Sequence, residues 1–122
     1  MRILVVDDDR DTAEALAEGL ALLGHEVVTA GGGRQALVFP LETFDAAIID
    51  GNLGDLSGLD VAQQIRARGL TLRLLLCSGD PSFTREVALG AGFDAYTAKP
   101  CSLITLLALL RGESTGVFGV LS

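Results

Sequence analysis

The chain has 122 residues, 49% of them hydrophobic, and a formal net charge of -7 at pH 7. This is the size of one domain that buries roughly two-thirds of its unfolded surface, and the acidic balance argues against a nucleic-acid binder, which needs a basic face. The apolar stretch from Leu103 to Leu110 is far shorter than the roughly 20 residues that cross a bilayer, and no signal peptide precedes Arg2. We therefore expect a single cytoplasmic domain that neither inserts into a membrane nor binds nucleic acid directly.

Short apolar runs alternate along the chain with segments of helical periodicity, and turn residues separate them. Apolar runs of this kind predict strands that are buried on both faces, as in parallel sheets. In chain order the sequence predicts a strand at Arg2–Val6, a helix at Asp11–Leu23, a strand at Glu26–Thr29, a short helix at Arg34–Phe39, a strand at Ala46–Asp50, a helix at Gly58–Arg68, a strand at Leu72–Cys77, a helix that starts at or near Pro81 and ends at Gly90, a strand at Asp94–Ala98 and a helix at Ser102–Arg111. Because right-handed crossovers leave few other arrangements, this alternation predicts an α/β fold with a parallel sheet and helices on both faces.

The last predicted helix is apolar around most of its circumference, at Leu103, Ile104, Leu106, Leu107, Leu109 and Leu110. Either it forms a dimer or partner interface, or it is packed tightly on all sides. We expect the domain to span residues 1–112 and residues 113–122 to form a flexible tail. No DNA-binding or catalytic module follows in this sequence, so we expect either a stand-alone domain or one taken from a longer protein.

Two further patterns have plain interpretations. The glycines Gly31–Gly33 lack the Gly-Lys-Ser/Thr sequence of a phosphate-binding loop, so we interpret them as a flexible turn. Cys77 lies in an apolar run, Cys101 follows a proline, and the two lack the spacing of metal ligands. We interpret them as buried or bystander thiols.

Polar side chains lie at the ends of the predicted strands: Asp7 and Asp8 after the first, Asp50 at the end of the third, Ser78 after the fourth and Lys99 after the fifth. The carboxyl ends of parallel strands share one edge of the sheet, which is where open α/β sheets bind ligands. Like charges this close disfavour one another, and a divalent cation such as Mg²⁺ or Mn²⁺ relieves the conflict. The sequence therefore predicts a cation site at this edge.

Lys99 is the only lysine in a chain that otherwise carries eight arginines. A lone lysine beside these acids indicates that a compact ammonium is needed there rather than a planar guanidinium. A surface lysine that falls there by chance is the alternative.

This set of residues resembles the receiver domain of two-component response regulators, over residues 2–111. The resemblance is carried by positions with the spacing of that family: the acidic pair Asp7 and Asp8, the phosphoacceptor Asp50, the loop glycine Gly58, the hydroxyl residue Ser78, the aromatic switch residue Tyr96 and the step Lys99-Pro100. The resemblance implies a flavodoxin-like fold, a doubly wound five-stranded parallel sheet of order 2-1-3-4-5.

The resemblance also implies a phosphorelay function. A histidine kinase or histidine phosphotransfer protein would donate a phosphoryl group to Asp50, and the domain would catalyse its own phosphorylation and dephosphorylation while acting primarily as a signalling switch. Mg²⁺ or Mn²⁺ would be held by Asp7, Asp8, Asp50 and the backbone carbonyl of Asn52.

The remaining roles that the resemblance implies concern the response to the phosphoryl group. Lys99 and Ser78 would bind its oxygens, and Tyr96 would turn into the space that Ser78 vacates. Asn52 and Asp80 would influence the lifetime of the acyl phosphate. The fourth helix, fifth strand and fifth helix would contact an output partner or form a homodimer.

Two positions depart from the family pattern: Gly54 replaces a proline, which should make the loop after Asp50 more mobile, and Gly79 replaces an alanine. The resemblance also suggests a cis bond between Lys99 and Pro100. Two other functions remain open. One is an interaction module that is not phosphorylated, and the other is an aspartate-nucleophile phosphatase, which the Asp-x-Asp at Asp7–Asp9 would permit.

Overall fold

A computed structural model of the protein describes residues 1–113. The expected tail, apart from Glu113, lies outside the described residues. The elements are β1 (Arg2–Val6), α1 (Arg10–Leu22), β2 (Glu26–Ala30), α2 (Gly33–Leu37), a 3-10 turn (Leu41–Thr43), β3 (Ala46–Ile49), α3 (Gly58–Ala67), β4 (Arg73–Ser78), α4 (Arg85–Ala91), β5 (Ala95–Ala98) and α5 (Leu103–Leu110). The strands form one parallel sheet in the order β2-β1-β3-β4-β5, which confirms the predicted order.

Alternating side chains of the central strands divide the core into two layers, because successive residues of a strand point to opposite faces. Leu4, Ile49 and Leu76 pack with α2, α3 and α4 in one layer. Ile48 and Cys77 pack with α1 and α5 in the other. All residues of β3 are buried, as expected for a strand covered by helices on both faces.

Side-chain caps set the starts of α1, α3, α4 and α5. The Asp9 carboxylate accepts hydrogen bonds from the amides of Asp11 and Thr12 at the start of α1. Ser57 forms a capping box with Asp60 at the start of α3, and Ser102 caps α5 by accepting from the amide of Thr105. These caps satisfy amides that have no partner within the helix, and they hold the loops at the carboxyl edge of the sheet in place.

The fourth helix starts later than the sequence predicted. Pro81 does not lie at its N-terminus, because α4 begins at Arg85 with Thr84 as its cap. The Asp80 carboxylate accepts hydrogen bonds from the amide and hydroxyl of Ser82, at 2.9 and 2.8 Å. Side-chain bonds of this kind stabilise a turn in competition with a helix.

The glycines at the start of α2 have a defined structural role. The Asp55 carboxylate accepts hydrogen bonds from the amides of Gly33 and Arg34, at 2.9 and 3.0 Å. A Cβ at Gly33 would lie 2.8 Å from a methyl of Val61, closer than van der Waals packing permits. This segment therefore binds an anion, but the anion is the chain's own carboxylate.

Helix α5 is mostly buried. Its residues from Leu106 to Leu110 are all buried, whereas Ile104 is 79% exposed. Tight burial therefore accounts for most of its apolar circumference. Within residues 1–113, none of the helices has both the length and the apolar character that a membrane span requires.

Candidate functional site

The candidate site is built by backbone ladders that continue past the ends of the strands. The amide of Asp50 donates to the carbonyl of Val6 at 2.9 Å, and the amide of Lys99 donates to the carbonyl of Ser78 at 2.9 Å. The amide of Asp7 donates to the carbonyl of Ala30 at 3.1 Å. The first residue after β1, β3 and β5 is thus held in register at the same edge of the sheet.

Three carboxylates converge at this edge. One oxygen from each of Asp7, Asp8 and Asp50 lies within 4.8 Å of the others. The side chain of Asp7 is 6% exposed and that of Asp50 is 13% exposed, while Asp8 is exposed. The structure therefore brings together two nearly buried acids and a third that faces solvent.

Lys99 reaches both of the nearly buried acids. Its Nζ donates to Oδ2 of Asp7 at 2.8 Å and to Oδ2 of Asp50 at 3.3 Å. The peptide bond between Lys99 and Pro100 is cis, as the resemblance suggested. One ammonium thus faces a cluster that holds more negative than positive charge.

The ionisation of the site reflects this imbalance. Burial raises the pKa of Asp50 above its ordinary value and the Asp7 carboxylate raises it further, although Lys99 acts in the opposite direction. Burial tends to lower the pKa of Lys99, but the hydrogen bond to Asp7 and the charges of both acids raise it overall. Lys99 therefore remains charged at neutral pH. The ionised form of Asp50 is disfavoured, because Lys99 does not fully offset the effects of burial and of the Asp7 charge.

A divalent cation fits the donor set. Carboxylate oxygens are the hard ligands that Mg²⁺ and Mn²⁺ prefer, and Mg²⁺ is commonly bound by one or two carboxylates together with water and phosphate. Asp8 and Asp50 offer such oxygens, and Asp7 adds a third. A cation here would also offset the excess negative charge.

Ser78 and Tyr96 lie on the same face of the sheet. In the register of β4 and β5, Leu76 pairs with Tyr96 and Ser78 pairs with Ala98, so Ser78 and Tyr96 are diagonal neighbours. Ser78 is 1% exposed and its Oγ accepts a hydrogen bond from the amide of Asp80 at 3.1 Å. Tyr96 is half-buried against the layer that contains α3 and α4.

Asn52 and Asp80 join the two loops over the site. The side-chain amide of Asn52 donates to Oδ2 of Asp80 at 3.0 Å. Hydrogen bonds from Ser82 and Asn52 lower the pKa of Asp80, so it stays ionised. The sequence identified both positions, but it gave no sign that they bond to each other.

Gly58 is needed for the path of the loop after Asp50. A Cβ at Gly58 would lie 2.2 Å from the carbonyl oxygen of Asp50, and its amide donates to the carbonyl of Gly51 at 2.8 Å. Gly54, which stands where the family has a proline, adopts a φ of +85°. Proline cannot adopt that angle, so the backbone conformation at Gly54 is one that a proline at this position could not have.

Two contacts near the site escaped the sequence analysis. The ring of Phe83 lies against Gly51, where a Cβ would be 2.7 Å from it. The Sγ atoms of Cys77 and Cys101 are 3.7 Å apart. Residues so far apart in sequence give no local signal of such contacts, although the strand alternation does place Cys77 on the face of the sheet that α5 covers.

A doubly wound parallel sheet with three acids and a lysine at its carboxyl edge is the arrangement that the resemblance to receiver domains predicts. The chain belongs to the response regulator receiver domain family, whose model matches residues 3–111. This confirms the resemblance, and with it the expectation of a phosphorylation-activated signalling switch of two-component systems.

Similar proteins agree in fold and family. The response regulator MprA of Mycolicibacterium vanbaalenii is 41% identical over 113 residues, which cover 91% of this chain and 49% of MprA. The chain thus spans about half the length of this curated relative. The Thermotoga maritima response regulator TrrA, solved in complex with Mg²⁺ and BeF, is 30% identical with a TM-score of 0.82, over 91% of this chain and 96% of TrrA.

A response regulator of Burkholderia pseudomallei, solved with a phosphorylated aspartic acid, a calcium ion and citrate, gives a TM-score of 0.76. It is 29% identical, over 98% of this chain and 69% of that protein.

Proposed function

We propose that Asp50 is the phosphoacceptor of this receiver domain and takes its phosphoryl group from a phosphohistidine. The observation that carries the proposal is the position of Asp50, nearly buried at the end of β3 and flanked by the Lys99 ammonium and the other acids of the cluster. In the transfer, an oxygen of Asp50 attacks phosphorus, the bond from phosphorus to nitrogen breaks, and the imidazole leaves with a proton. A histidine kinase or histidine phosphotransfer protein would supply the group.

Mg²⁺ or Mn²⁺ would be held by Asp8 and Asp50, with Asp7 and the backbone carbonyl of Asn52 as further ligands. The bound cation would neutralise charge on the phosphoryl oxygens. Support comes from the three clustered carboxylate oxygens. TrrA was solved with Mg²⁺ and BeF, and the Burkholderia protein with calcium beside a phosphorylated aspartic acid.

Lys99 and Ser78 are the groups that would bind the incoming phosphoryl oxygens. Lys99 already contacts Asp50, so its ammonium need move only a short way to pair with a phosphoryl oxygen on that side chain. Ser78 would exchange its present hydrogen bond from the Asp80 amide for one that its hydroxyl donates to the phosphoryl group.

The movement of Ser78 would couple phosphorylation to Tyr96, its diagonal neighbour. Shifting a two-state switch from 1% to 99% active takes about 5.5 kcal/mol. Hydrogen bonds to charged groups contribute about 1.5 to 3 kcal/mol each, so the bonds from Lys99 and Ser78 together are of the required size.

Asn52 and Asp80 would tune the lifetime of the acyl phosphate. Their mutual hydrogen bond links the loops that flank the site, and breaking that bond would open a path for water to the phosphorus atom. The direction of the effect follows: loss of the bond shortens the lifetime.

The output surface would be formed by α4, β5 and α5. Val87 and Leu89 of α4 are 40% and 44% exposed, and Ile104 of α5 is 79% exposed. Apolar side chains on this surface would contact an output partner or a second copy of the chain once Tyr96 has moved.

The test is incubation with Mg²⁺ and a small acyl-phosphate donor, followed by intact mass measurement. The wild type should gain one phosphoryl group, and neither Asp50→Asn nor a sample treated with chelator should gain any. Asp55→Asn is a matched control, because Asp55 lies in the same loop but binds α2 amides instead, and this variant should be labelled. Equal labelling of Asp50→Asn would overturn the assignment.

The same samples distinguish the alternative functions. Turnover of a phosphomonoester would indicate the aspartate-nucleophile phosphatase. Absence of label, together with unchanged spectra around Ser78 and Tyr96 on addition of Mg²⁺ and beryllium fluoride, would favour an interaction module that is not phosphorylated.

A further inference from the structure

Two cysteines meet at the junction of β4 and the segment that leads into α5. The Sγ atoms of Cys77 and Cys101 lie 3.7 Å apart, at van der Waals contact. Cys77 is buried in β4, and Cys101 is half-buried just after Pro100. A disulfide requires the two sulfurs to approach to about 2.05 Å, so the Cys101 side chain and its loop would have to shift to close the remaining gap.

The two sulfurs flank the candidate phosphoacceptor site. Cys77 directly precedes Ser78, and Cys101 follows Lys99 by two residues. The backbone ladder places the amide of Lys99 2.9 Å from the carbonyl of Ser78. A bond between the cysteines would therefore join the two segments that carry Ser78 and Lys99.

A cavity gives small molecules access to both thiols. It has a volume of about 520 Å³, lies between α1 and α5, and both Cys77 and Cys101 line it. Ala15 and Pro100, which also line it, are exposed at its rim. Hydrogen peroxide is far smaller than this cavity and can reach the otherwise buried Cys77.

The two thiols differ in how readily they lose a proton. Contact with Cys77 lowers the pKa of Cys101 to about 7, helped by Thr97 and Lys99 against the effect of burial. The same contact and burial raise the pKa of Cys77. A low-pKa, accessible cysteine beside a second thiol is typical of redox-sensitive pairs.

We propose that Cys77 and Cys101 are an oxidisable pair that forms a reversible disulfide within the chain when it meets a peroxide. The Cys101 thiol first loses its proton, and the thiolate then attacks one peroxide oxygen. The bond between the oxygens breaks, which leaves a sulfenic acid on Cys101, and the released hydroxide takes up the proton lost by the thiol to form water. The Cys77 sulfur then attacks the Cys101 sulfur. The sulfur–oxygen bond breaks, and the departing hydroxide leaves with the Cys77 proton as a second water. The two thiols lose two electrons and the peroxide gains them.

The disulfide would restrain the phosphoacceptor site, an effect that rests on the function proposed for Asp50. Ser78 has to move toward the phosphoryl group, and the Lys99 ammonium has to leave Asp7. Tying their neighbours together would misplace both groups, so oxidation lowers the rate of phosphorylation. Misplacement by about 1 Å costs up to about a hundredfold in rate, and we expect a loss of about 10- to 100-fold.

The first experiment measures the disulfide itself. The chain is treated with hydrogen peroxide, then with a thiol-alkylating reagent, and its intact mass is determined with and without prior reduction. The expected product is a monomer that has lost two hydrogens and takes up no alkyl group until it is reduced. Cys101→Ser should remain alkylatable at Cys77, and Cys77→Ala provides a second variant. An interchain dimer, oxygen added to one cysteine, or two thiols that stay alkylatable would overturn the proposal.

The second experiment measures the consequence. Oxidised wild type should be labelled by acyl phosphate about 10- to 100-fold more slowly than reduced wild type, and a reductant should restore the rate. Cys101→Ser should be labelled at one rate in both conditions. An equal rate for the two forms of the wild type would overturn the regulatory effect. If the reduced chain takes no label, the function proposed for Asp50 fails. The disulfide is then still judged by mass, and the restraint by whether the amide signals of Ser78 and Lys99 shift on oxidation.

Discussion

The two edges of the sheet hold charged side chains in opposite ways. At the amino edge, Arg66 donates to the carbonyls of Gly92, Leu70 and Leu72 at 2.8 to 3.0 Å and to the carboxylate of Asp94 at 2.9 Å. Asp94 also accepts from the amide of Leu74 at 2.8 Å. One positive group and one negative group are thus matched, and backbone groups satisfy their remaining hydrogen-bonding capacity.

At the carboxyl edge the charges do not match. Lys99 faces Asp7 and Asp50, while Asp8 adds a further carboxylate within 4.8 Å. Charges that are balanced within the chain stabilise a fold, whereas an excess of one sign is tolerated where a ligand completes it. The balance of charge thus distinguishes the structural ion network around Arg66 from the functional cluster around Asp50.

The largest effect on stability should come from removing the hydrogen bonds and the ion pair of Arg66 at the amino edge of the sheet. Arg66→Ala removes the ion pair, takes this donor from three backbone carbonyls and leaves Asp94 with only the amide of Leu74. The free energy of unfolding should therefore fall by about 2 to 3 kcal/mol. Urea denaturation would measure it. Arg85→Ala, at an exposed position in α4, is the control and should change stability by no more than about 0.5 kcal/mol. Equal losses in the two variants would contradict the role of the network.

Mg²⁺ should stabilise the folded protein by binding at the carboxyl edge of the sheet, where negative charge exceeds positive charge. A ligand that binds only the folded state, at a concentration ten times its dissociation constant, raises the free energy of unfolding by about 1.4 kcal/mol. Wild type and Arg66→Ala should gain equally because the sites are far apart, whereas Asp8→Asn should gain much less. Thermal unfolding with Mg²⁺ and with chelator would show this. A gain in Asp8→Asn as large as in wild type would place the metal elsewhere.

In metal-free buffer, removing the negative charge of Asp50 from the carboxyl edge should raise the stability of the fold. Burial and Asp7 raise the pKa of Asp50 in the folded state above 3.8, so its ionisation destabilises the fold as pH rises through that range. Asp50→Asn should therefore be more stable than wild type at neutral pH. The advantage should disappear below pH 3.8. Denaturation of both proteins across this pH range measures the effect, and a less stable variant at neutral pH would refute it.

Removing the Asp55 carboxylate should have the smallest effect on stability, and its pH dependence should be opposite to that of Asp50. Hydrogen bonds from the amides of Arg34 and Gly33 hold the pKa of Asp55 below 3.8. Its contribution to stability is therefore present above pH 3.8 and is lost as pH falls through the lower folded value. Asp55→Ala should be less stable than wild type at neutral pH, and the difference should shrink in acid. Gln63→Ala, at an exposed position in α3, removes no titratable group and should show no such trend.

Much of the fold and the placement of the site residues could be predicted because both follow from strand ends. Apolar runs identified the strands, and the residue after each run lies at the carboxyl edge for a topological reason. Asp7, Asp50, Ser78 and Lys99 could therefore be grouped before any distance was known. Gly58 was identified from the family pattern, but the contact with the Asp50 carbonyl that requires a glycine there appears only in three dimensions.

What the sequence did not predict depends on side-chain bonds between distant segments. The start of α4 was misplaced because Asp80 stabilises a turn that competes with a helix at Pro81. The bond from Asn52 to Asp80 and the contact of Cys77 with Cys101 join residues more than 20 positions apart, and neither local periodicity nor spacing reports such pairs.

The most direct test of the central claim is a crystal structure of the wild type with Mg²⁺ and beryllium fluoride. The claim is that the carboxyl edge of the sheet binds a cation, which offsets its excess negative charge, and a phosphoryl group on Asp50. It predicts fluoride bonded through beryllium to Asp50, a cation on Asp8 and Asp50, and the Lys99 ammonium moved from Asp7 to a fluorine. A beryllium fluoride group on another carboxylate, or an unmodified Asp50 with Lys99 still on Asp7 at saturating ligand, would contradict it.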